Sequence, residues 1–260
     1  MGVLKTDEWL KVSLKNPLEI CKKLKKLFHE DSEQRVYNYL ARNGMYKYNG
    51  RTSSEFTKLV ENKVWTKVEG FFKFYKKSWG GPDIPIFIFP HGSAGMFHSN
   101  KGNKSGLAFK DKMFLFYTPG LSEKELEAVF VHEYHHVCRL NSLKKDINDY
   151  TLMDSIVLEG LAEHAVARNV GASYLAEWTR FYNSNAALRL GEKYIKPHLD
   201  LKKNDTLHDQ LLYGLGRFPK MIGYSCGFHA VSKYKKNKYI SESATFTKPS
   251  EYFMEGYFSG

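Results

Sequence analysis

Residues 132 to 136 read HEYHH, three histidines and a glutamate in five positions, inside the stretch SEKELEAVFVHEYHHVCRLNSL. The apolar spacing of that stretch predicts a mostly buried helix, and packing alone does not ask a helix interior for this much ligating chemistry. An α-helix turns about 100° per residue, so His132 and His136 lie only about 40° apart and one turn from each other. Their imidazoles can therefore reach the same ion. Glu133, next to the first of them, hangs beside such an ion without binding it. His135 points away from the pair, toward Lys124, Arg139 and Ser142, and is expected to face solvent, while Leu126, Phe130, Tyr134 and Val137 anchor the helix in the core.

Neutral imidazoles bind Zn²⁺ at about 2.0 to 2.1 Å, and a zinc enzyme needs three protein ligands with a position left for water. The metal lowers the pKa of that water from about 15.7 toward 7, and a nearby carboxylate takes its proton as it attacks a carbonyl. Two histidines supply two ligands. The segment LMDSIVLEGLAEHAVARNV offers the third. Glu159 and Glu163, four apart, project from the face that carries Ile156, Val166, Ala167 and Val170. Two unpaired buried carboxylates would each cost several kcal/mol, so a cation and its imidazole ligands should be at hand. Glu159 is the expected third ligand. Glu163, one turn on, is placed to accept the far N–H of a ligating histidine and fix its tautomer. HExxH alone arises by chance in about 3% of chains of this composition. The capped helix around it and the Glu pair downstream make the signal stronger.

The elements that must position these groups are readable in outline. Ser122 with Glu125 forms a capping box that starts the HEYHH helix. A polar stretch, 141 to 150, separates it from the glutamate helix, which starts at Thr151 or Asp154 and ends by Gly171. Upstream, IPIFIF is a wholly apolar strand. Residues 105 to 109 and 113 to 117 are two strands around a tight turn at Lys110 to Lys112. MFLFY is the interior one and the weakly alternating first the edge strand, and Pro119-Gly120 closes the sheet. Residues 7 to 78 carry helix-period apolar positions broken near Asn43-Gly44 and Asn49-Gly50, which predicts two or three helices. Residues 172 to 260 read as mainly helical.

HEYHHxxR followed by the EGLAE pair resembles the YjaZ-type predicted zinc peptidases of the gluzincin group of metallopeptidases. The resemblance runs from about Ile84 to the region of Ser232 and is most specific at 132 to 139 and 152 to 164. It implies His132, His136 and Glu159 as ligands of one Zn²⁺ per chain and Glu133 as general base and acid. The group's pattern usually has Asp four residues after the third ligand, where this chain has Glu163. The resemblance also implies a substrate-binding edge strand ahead of the metal helix, here Gly106, Leu107, Ala108 and Phe109, pairing an extended peptide by strand addition. It implies an oxyanion donor from the C-terminal part as well. Tyr224 in MIGYSCGFHAV is the first choice, with His229 and Tyr213 behind it.

The expected fold class is α+β, predominantly helical, a gluzincin-like two-lobed metallopeptidase with a small mixed sheet over the HEYHH helix. The divisions are a basic helical region at 1–80, the sheet with the HEYHH helix at 81–140, and the glutamate helix with a helical lobe at 141–260. Pocket-forming side chains are expected from 172 to 222 and from the 91 to 105 loop. The chain has 260 residues, 42% of them hydrophobic, enough for a sizeable core. Its net charge is +11 with pI near 9.3, and residues 1 to 80 hold 17 Lys/Arg against 9 Asp/Glu. Paired lysines between leucines, as in CKKLKKLF, read as the solvated face of amphipathic helices, a face that an acidic partner could meet. No zinc-finger spacing, RNP-like motif or phosphate loop points to nucleic acid. Three widely spaced cysteines form no CxxC pair and read as reduced thiols. The lack of a membrane-length apolar run or an apolar leader gives a cytoplasmic expectation. The expected activity is peptide-bond hydrolysis of a peptide or protein substrate. Its rival is a non-catalytic zinc-containing peptide-binding or stress-related regulatory protein.

Overall fold

The apolar runs PIFIFP and MFLFY become the interior strands of a sheet, because every residue in both is buried and neither face is available to water. The computed structural model describes residues 1–92, 104–238 and 240–258. In chain order the elements are β1 (Gly2–Val3), α1 (Thr6–Ser13), α2 (Pro17–Leu24), α3 (Glu33–Arg42), α4 (Thr52–Glu61), α5 (Val64–Trp79), β2 (Pro85–Pro90), β3 (Lys104–Ala108), β4 (Met113–Tyr117) and α6 (Glu123–Ser142). Then follow α7 (Leu152–Asn169), α8 (Ser184–Tyr194), α9 (Thr206–Tyr213), α10 (Ile222–Asn237), α11 (Glu242–Thr247) and α12 (Glu251–Met254), with short 3₁₀ turns between some of them. The fold is predominantly helical with one small mixed sheet, as expected. No helix among the described residues is long and apolar enough to cross a membrane.

The chain divides into two compact units, Met1–Glu133 and Tyr134–Gly260, with the boundary inside α6. In the first, the strands run in the order β1-β2-β4-β3. β1 and β4 flank β2 in parallel, and β3 pairs antiparallel with β4 from Lys104↔Tyr117 to Ala108↔Met113. Phe87, Phe89, Phe114 and Phe116 share one face of the sheet and pack with Leu10, Ile20, Leu24, Val36 and Leu40 of the N-terminal helices. α6 is tied to the same unit where the Tyr117 hydroxyl donates to the Leu126 carbonyl at 3.2 Å, and Phe130 meets Phe71 and Tyr75 at ring distances of 6.0 and 5.9 Å.

Two corrections to the sequence reading fall in this unit. Residues 6 to 79 form five α-helices rather than two or three. Asn43-Gly44 and Asn49-Gly50 do interrupt the pattern, but the additional breaks come at Asn16-Pro17, where Pro sits in the first turn of α2, and at two left-handed residues with side chains, His29 (φ 49°) and Lys63 (φ 53°). Turn composition does not announce a left-handed His or Lys, because only Gly, Asn and Asp adopt that region at low cost. The second is β1, which pairs beside β2 over two residues, too short for any periodicity to reveal.

The edge position of β3 is as predicted: among the described residues it pairs only with β4. Phe109 follows the strand, and its N–H donates to the Lys112 carbonyl at 3.0 Å to close the hairpin. In an antiparallel ladder hydrogen-bonded and non-hydrogen-bonded pairs alternate. Counting back from Phe109 turns the N–H and C=O groups of Gly106 and Ala108 away from β4.

In the second unit α7 and α10 cross with almost no side-chain thickness between them. A Cβ on Gly227 would lie 1.7 Å from the Ile156 carbonyl oxygen, and one on Gly160 would lie 2.4 Å from the Gly227 backbone. Only glycines allow that approach. The crossing is surrounded by buried Leu152, Val157, Leu161, Leu211, Ile222 and Val231.

Candidate metal and catalytic site

Both helices that carry the candidate ligands start on capping boxes, which set where each turn begins. At α6 the Ser122 N–H and hydroxyl donate to Glu125 Oε2 at 2.8 and 2.7 Å, and the Glu125 N–H donates to Ser122 Oγ at 3.3 Å. At α7 the Thr151 N–H donates to Asp154 Oδ2 at 2.9 Å and the Asp154 N–H to Thr151 Oγ1 at 3.3 Å. Burial alone would raise the Asp154 carboxyl, but hydrogen bonds from Lys145, Ser250 and Thr151 outweigh it and hold the group below the usual carboxylate range.

From these starts, one turn of α6 presents His132 and His136 on neighbouring positions, and the second turn of α7 brings up Glu159. One ligating atom from each of the three lies within 4.8 Å of the other two. His136 Nε2 is 3.5 Å from Glu159 Oε2. Among the described residues this is the single group of three or more His, Cys, Asp or Glu side chains so arranged. Two imidazoles and one carboxylate are the donor set of a hydrolytic zinc site, which leaves a coordination position for water. The residues therefore fit the metal that the sequence implies.

Glu133 lies outside this group and is 8% exposed. Its side chain runs directly against the backbone of the edge strand: a Cβ on Gly106 would sit 2.4 Å from Glu133 Cγ and 2.9 Å from its Oε1. Tyr117 is close enough that, after burial, the Glu133 charge is the next cause raising its hydroxyl pKa. Gly106 is thus glycine because a carboxylate passes where its side chain would stand. We expect Gly106→Ala to push Glu133 aside and to lower kcat at least tenfold with the melting temperature nearly unchanged. Peptidase assays alongside thermal denaturation check this, and an unchanged kcat would show that the contact does not set the position of Glu133.

Glu163 is buried, and its Oε1 accepts a hydrogen bond from the Ala176 N–H. That bond ties α7 to the turn that follows it. Tyr224, on α10, is buried beside Glu159 and Tyr213: its hydroxyl is pushed well up by burial, then by the charge on Glu159 and by hydrogen bonding to Tyr213 and Glu159. The Trp178 and Tyr213 rings stand 5.0 and 5.6 Å from it. The glycine crossing of α7 and α10 is what brings it so close to Glu159, since Tyr224 precedes Gly227 by one turn. His229 is engaged elsewhere, with Nε2 at 2.9 Å from the Tyr182 carbonyl. Among the three donors weighed from sequence, Tyr224 neighbours Glu159, and Tyr213 neighbours Tyr224. Gly106, Leu107 and Ala108 lie in β3 and Phe109 just beyond it. Of the 91 to 105 loop, residues 93–103 lie outside the described residues.

The expectation for His135 is overturned. His135 is fully buried and Arg139 is 1% exposed, because the segment from Glu242 to Met254 covers that side of α6. His135 Nε2 is 3.2 Å from Thr245 Oγ1, and Arg139 reaches the carbonyls of Thr245 and Lys248 and the Ser250 hydroxyl. These partners are more than a hundred residues away, so no local pattern signals them. The cysteines behave as expected: Cys21, Cys138 and Cys226 are free and buried, and burial pushes the Cys21 and Cys226 thiols up to about 12, which keeps them unreactive.

Comparison with known proteins points to zinc as well. A family model described as "Predicted Zn-dependent protease (DUF2268)" matches residues 64–255, reaching further toward both ends than the motif resemblance. A protein of Bacillus subtilis (strain 168) that carries the name "Uncharacterized protein YjaZ" is 40% identical over 221 residues, covering 85% of this chain and 85% of that protein. No solved structure matches the chain.

Proposed function

Because the chain belongs to the DUF2268 family of predicted Zn-dependent proteases, we propose that it hydrolyses peptide bonds with one Zn²⁺ held by His132, His136 and Glu159. The observation that carries the reading is the convergence of those three side chains, from two separate helices, to within 4.8 Å. When bound, the ion polarises the substrate carbonyl and makes water acidic enough to give up its proton near neutral pH. Glu133 takes that proton and delivers it to the leaving amine. Tyr224, which stands beside Glu159, donates a hydrogen bond from its hydroxyl to the developing oxyanion. Glu163, anchored on the Ala176 N–H, holds the glutamate helix and, through it, the third ligand.

The substrate lies along β3 as an added strand, pairing with the outward backbone groups of Gly106 and Ala108. This places a scissile carbonyl beside Glu133, which touches Gly106. The alternation of side chains then sends every second substrate residue toward α6. A side chain at position 106 would block that path, so the same glycine serves the base and the substrate.

Metal analysis of protein never exposed to a chelator, followed by a peptide-library assay, tests the reading. The expected result is one zinc per chain and cleavage that stops with chelation and returns with added zinc. Stoichiometric zinc with no cleavage anywhere in the library would move the protein to the non-catalytic, peptide-holding alternative.

A further inference from the structure

The side of α6 next to its ligand row is gripped by the end of the chain. Arg139 sits one turn beyond His136. Its Nη1 donates to the Thr245 carbonyl at 2.5 Å and to the Lys248 carbonyl at 2.9 Å, and its Nη2 donates to Ser250 Oγ at 3.1 Å. The guanidinium also lies over the Phe253 ring at 5.6 Å. Ser250 in turn donates to Asp154 Oδ1 at 2.7 Å, and Asp154 is the N-terminal capping-box residue of the glutamate helix. One turn back, His135 meets Thr245 Oγ1 at 3.2 Å, Glu242 Oε2 at 3.6 Å and the edge of Phe246 at 5.0 Å between ring centroids. The chain of contacts therefore runs from the helix that bears both histidines, through the segment 242–254, to the start of the helix that bears Glu159.

Packing alone does not explain this choice of residue. A fully buried guanidinium is costly to desolvate, and an apolar side chain of similar volume covers a helix face at lower cost. What the planar fork adds is direction: acceptors from three residues fix the rotation of α6 about its axis as a greasy contact cannot. Rotation matters here because a ligating imidazole nitrogen stands about 6 Å from the helix axis, so a turn of only 10° moves it by about 1 Å. Metal–ligand distances tolerate about 0.2 Å.

Resting on the reading of His132, His136 and Glu159 as a zinc site, we propose that Arg139 is a positioning residue, and that segment 242–254 is the strap by which it sets the rotation of the histidine helix and its alignment with Glu159. The strap touches none of the reacting atoms. It acts by keeping two helices, each supplying part of one ligand set, in a single relative register.

The test uses the full chain in three forms: wild type, Arg139→Lys, whose single ammonium cannot span the three acceptors, and Ser250→Ala, which removes one acceptor and the link to Asp154. Each is loaded with Co²⁺ for visible spectroscopy and titrated with Zn²⁺ against a competing chelator. In Arg139→Lys the cobalt bands should shift in position and intensity, and zinc affinity should fall about 10- to 100-fold, the range seen when outer partners of ligands are lost. Ser250→Ala should move both readouts the same way by a smaller amount. Peptide turnover should lose kcat with KM unchanged. A wild-type cobalt spectrum and wild-type zinc affinity in folded Arg139→Lys, whatever its melting temperature, would overturn the proposal. Should Arg139→Lys fail to fold, Ser250→Ala decides by the same two readouts. A wild type that binds neither metal would fail earlier, taking the zinc reading and the strap down together.

Discussion

Glu133→Gln should retain one zinc per chain and lose peptide hydrolysis by about 10²- to 10⁴-fold, the usual contribution of a positioned general base. The amide has the shape of the carboxylate and cannot accept a proton. Zinc is retained because the three side chains that converge are His132, His136 and Glu159, and Glu133 points instead along the edge strand at Gly106. The amide also fills the same space in a site only 8% exposed, so the fold should be retained. kcat and kcat/KM should fall together, as they do when an interaction is lost only in the transition state. The measurement pairs zinc content by mass spectrometry with turnover of a cleaved library peptide. Wild-type turnover in the amide variant would remove Glu133 from the mechanism, and loss of zinc would make it a ligand.

Glu159→Ala should behave in the opposite order, losing metal first and activity as a consequence. The alanine leaves two imidazoles on one helix turn, a pair too weak to hold zinc against a chelator. A ligand at about a thousand times its dissociation constant stabilises the fold by about 4 kcal/mol, which for a chain of this size corresponds to a melting shift on the order of 10 °C. Wild type should therefore melt on the order of 10 °C lower after chelation, while Glu159→Ala should melt at one temperature with or without added zinc. Glu159→Gln separates the two jobs of this residue. It can still bond the Tyr224 hydroxyl that neighbours Glu159 but is a poor ligand, so it should keep the packing of α7 against α10 and lose the metal. A zinc-dependent melting shift of wild-type size in Glu159→Ala would exclude Glu159 from the ligand set.

Much of the site was legible because its central feature is local. His132, His136 and Glu133 belong to one helix, whose period places the imidazoles together whatever else the chain does. The capping box at Ser122/Glu125 is equally local and stands where the sequence puts it, and of the two starts offered for α7 the structure uses Thr151, with Asp154 completing a capping box. The strands were legible for a different reason: an apolar run such as MFLFY, which leaves no side for water, has to be interior. Helix boundaries in the N-terminal region were less so, since the left-handed residues His29 and Lys63 carry no sign of their conformation.

By itself, then, the sequence determined that one helix sets His132 and His136 side by side with Glu133 next to them, and that a second helix carries Glu159 and Glu163 one turn apart. Tertiary structure alone decided that His135 and Arg139 face the C-terminal segment rather than solvent, that Gly106 lies against Glu133, and that Tyr224 stands beside Glu159. The physical reason is range. Periodicity and capping act over a turn or two, whereas these contacts join positions from 27 to 111 residues apart, and are chosen by packing and by the need of each buried polar group for a partner.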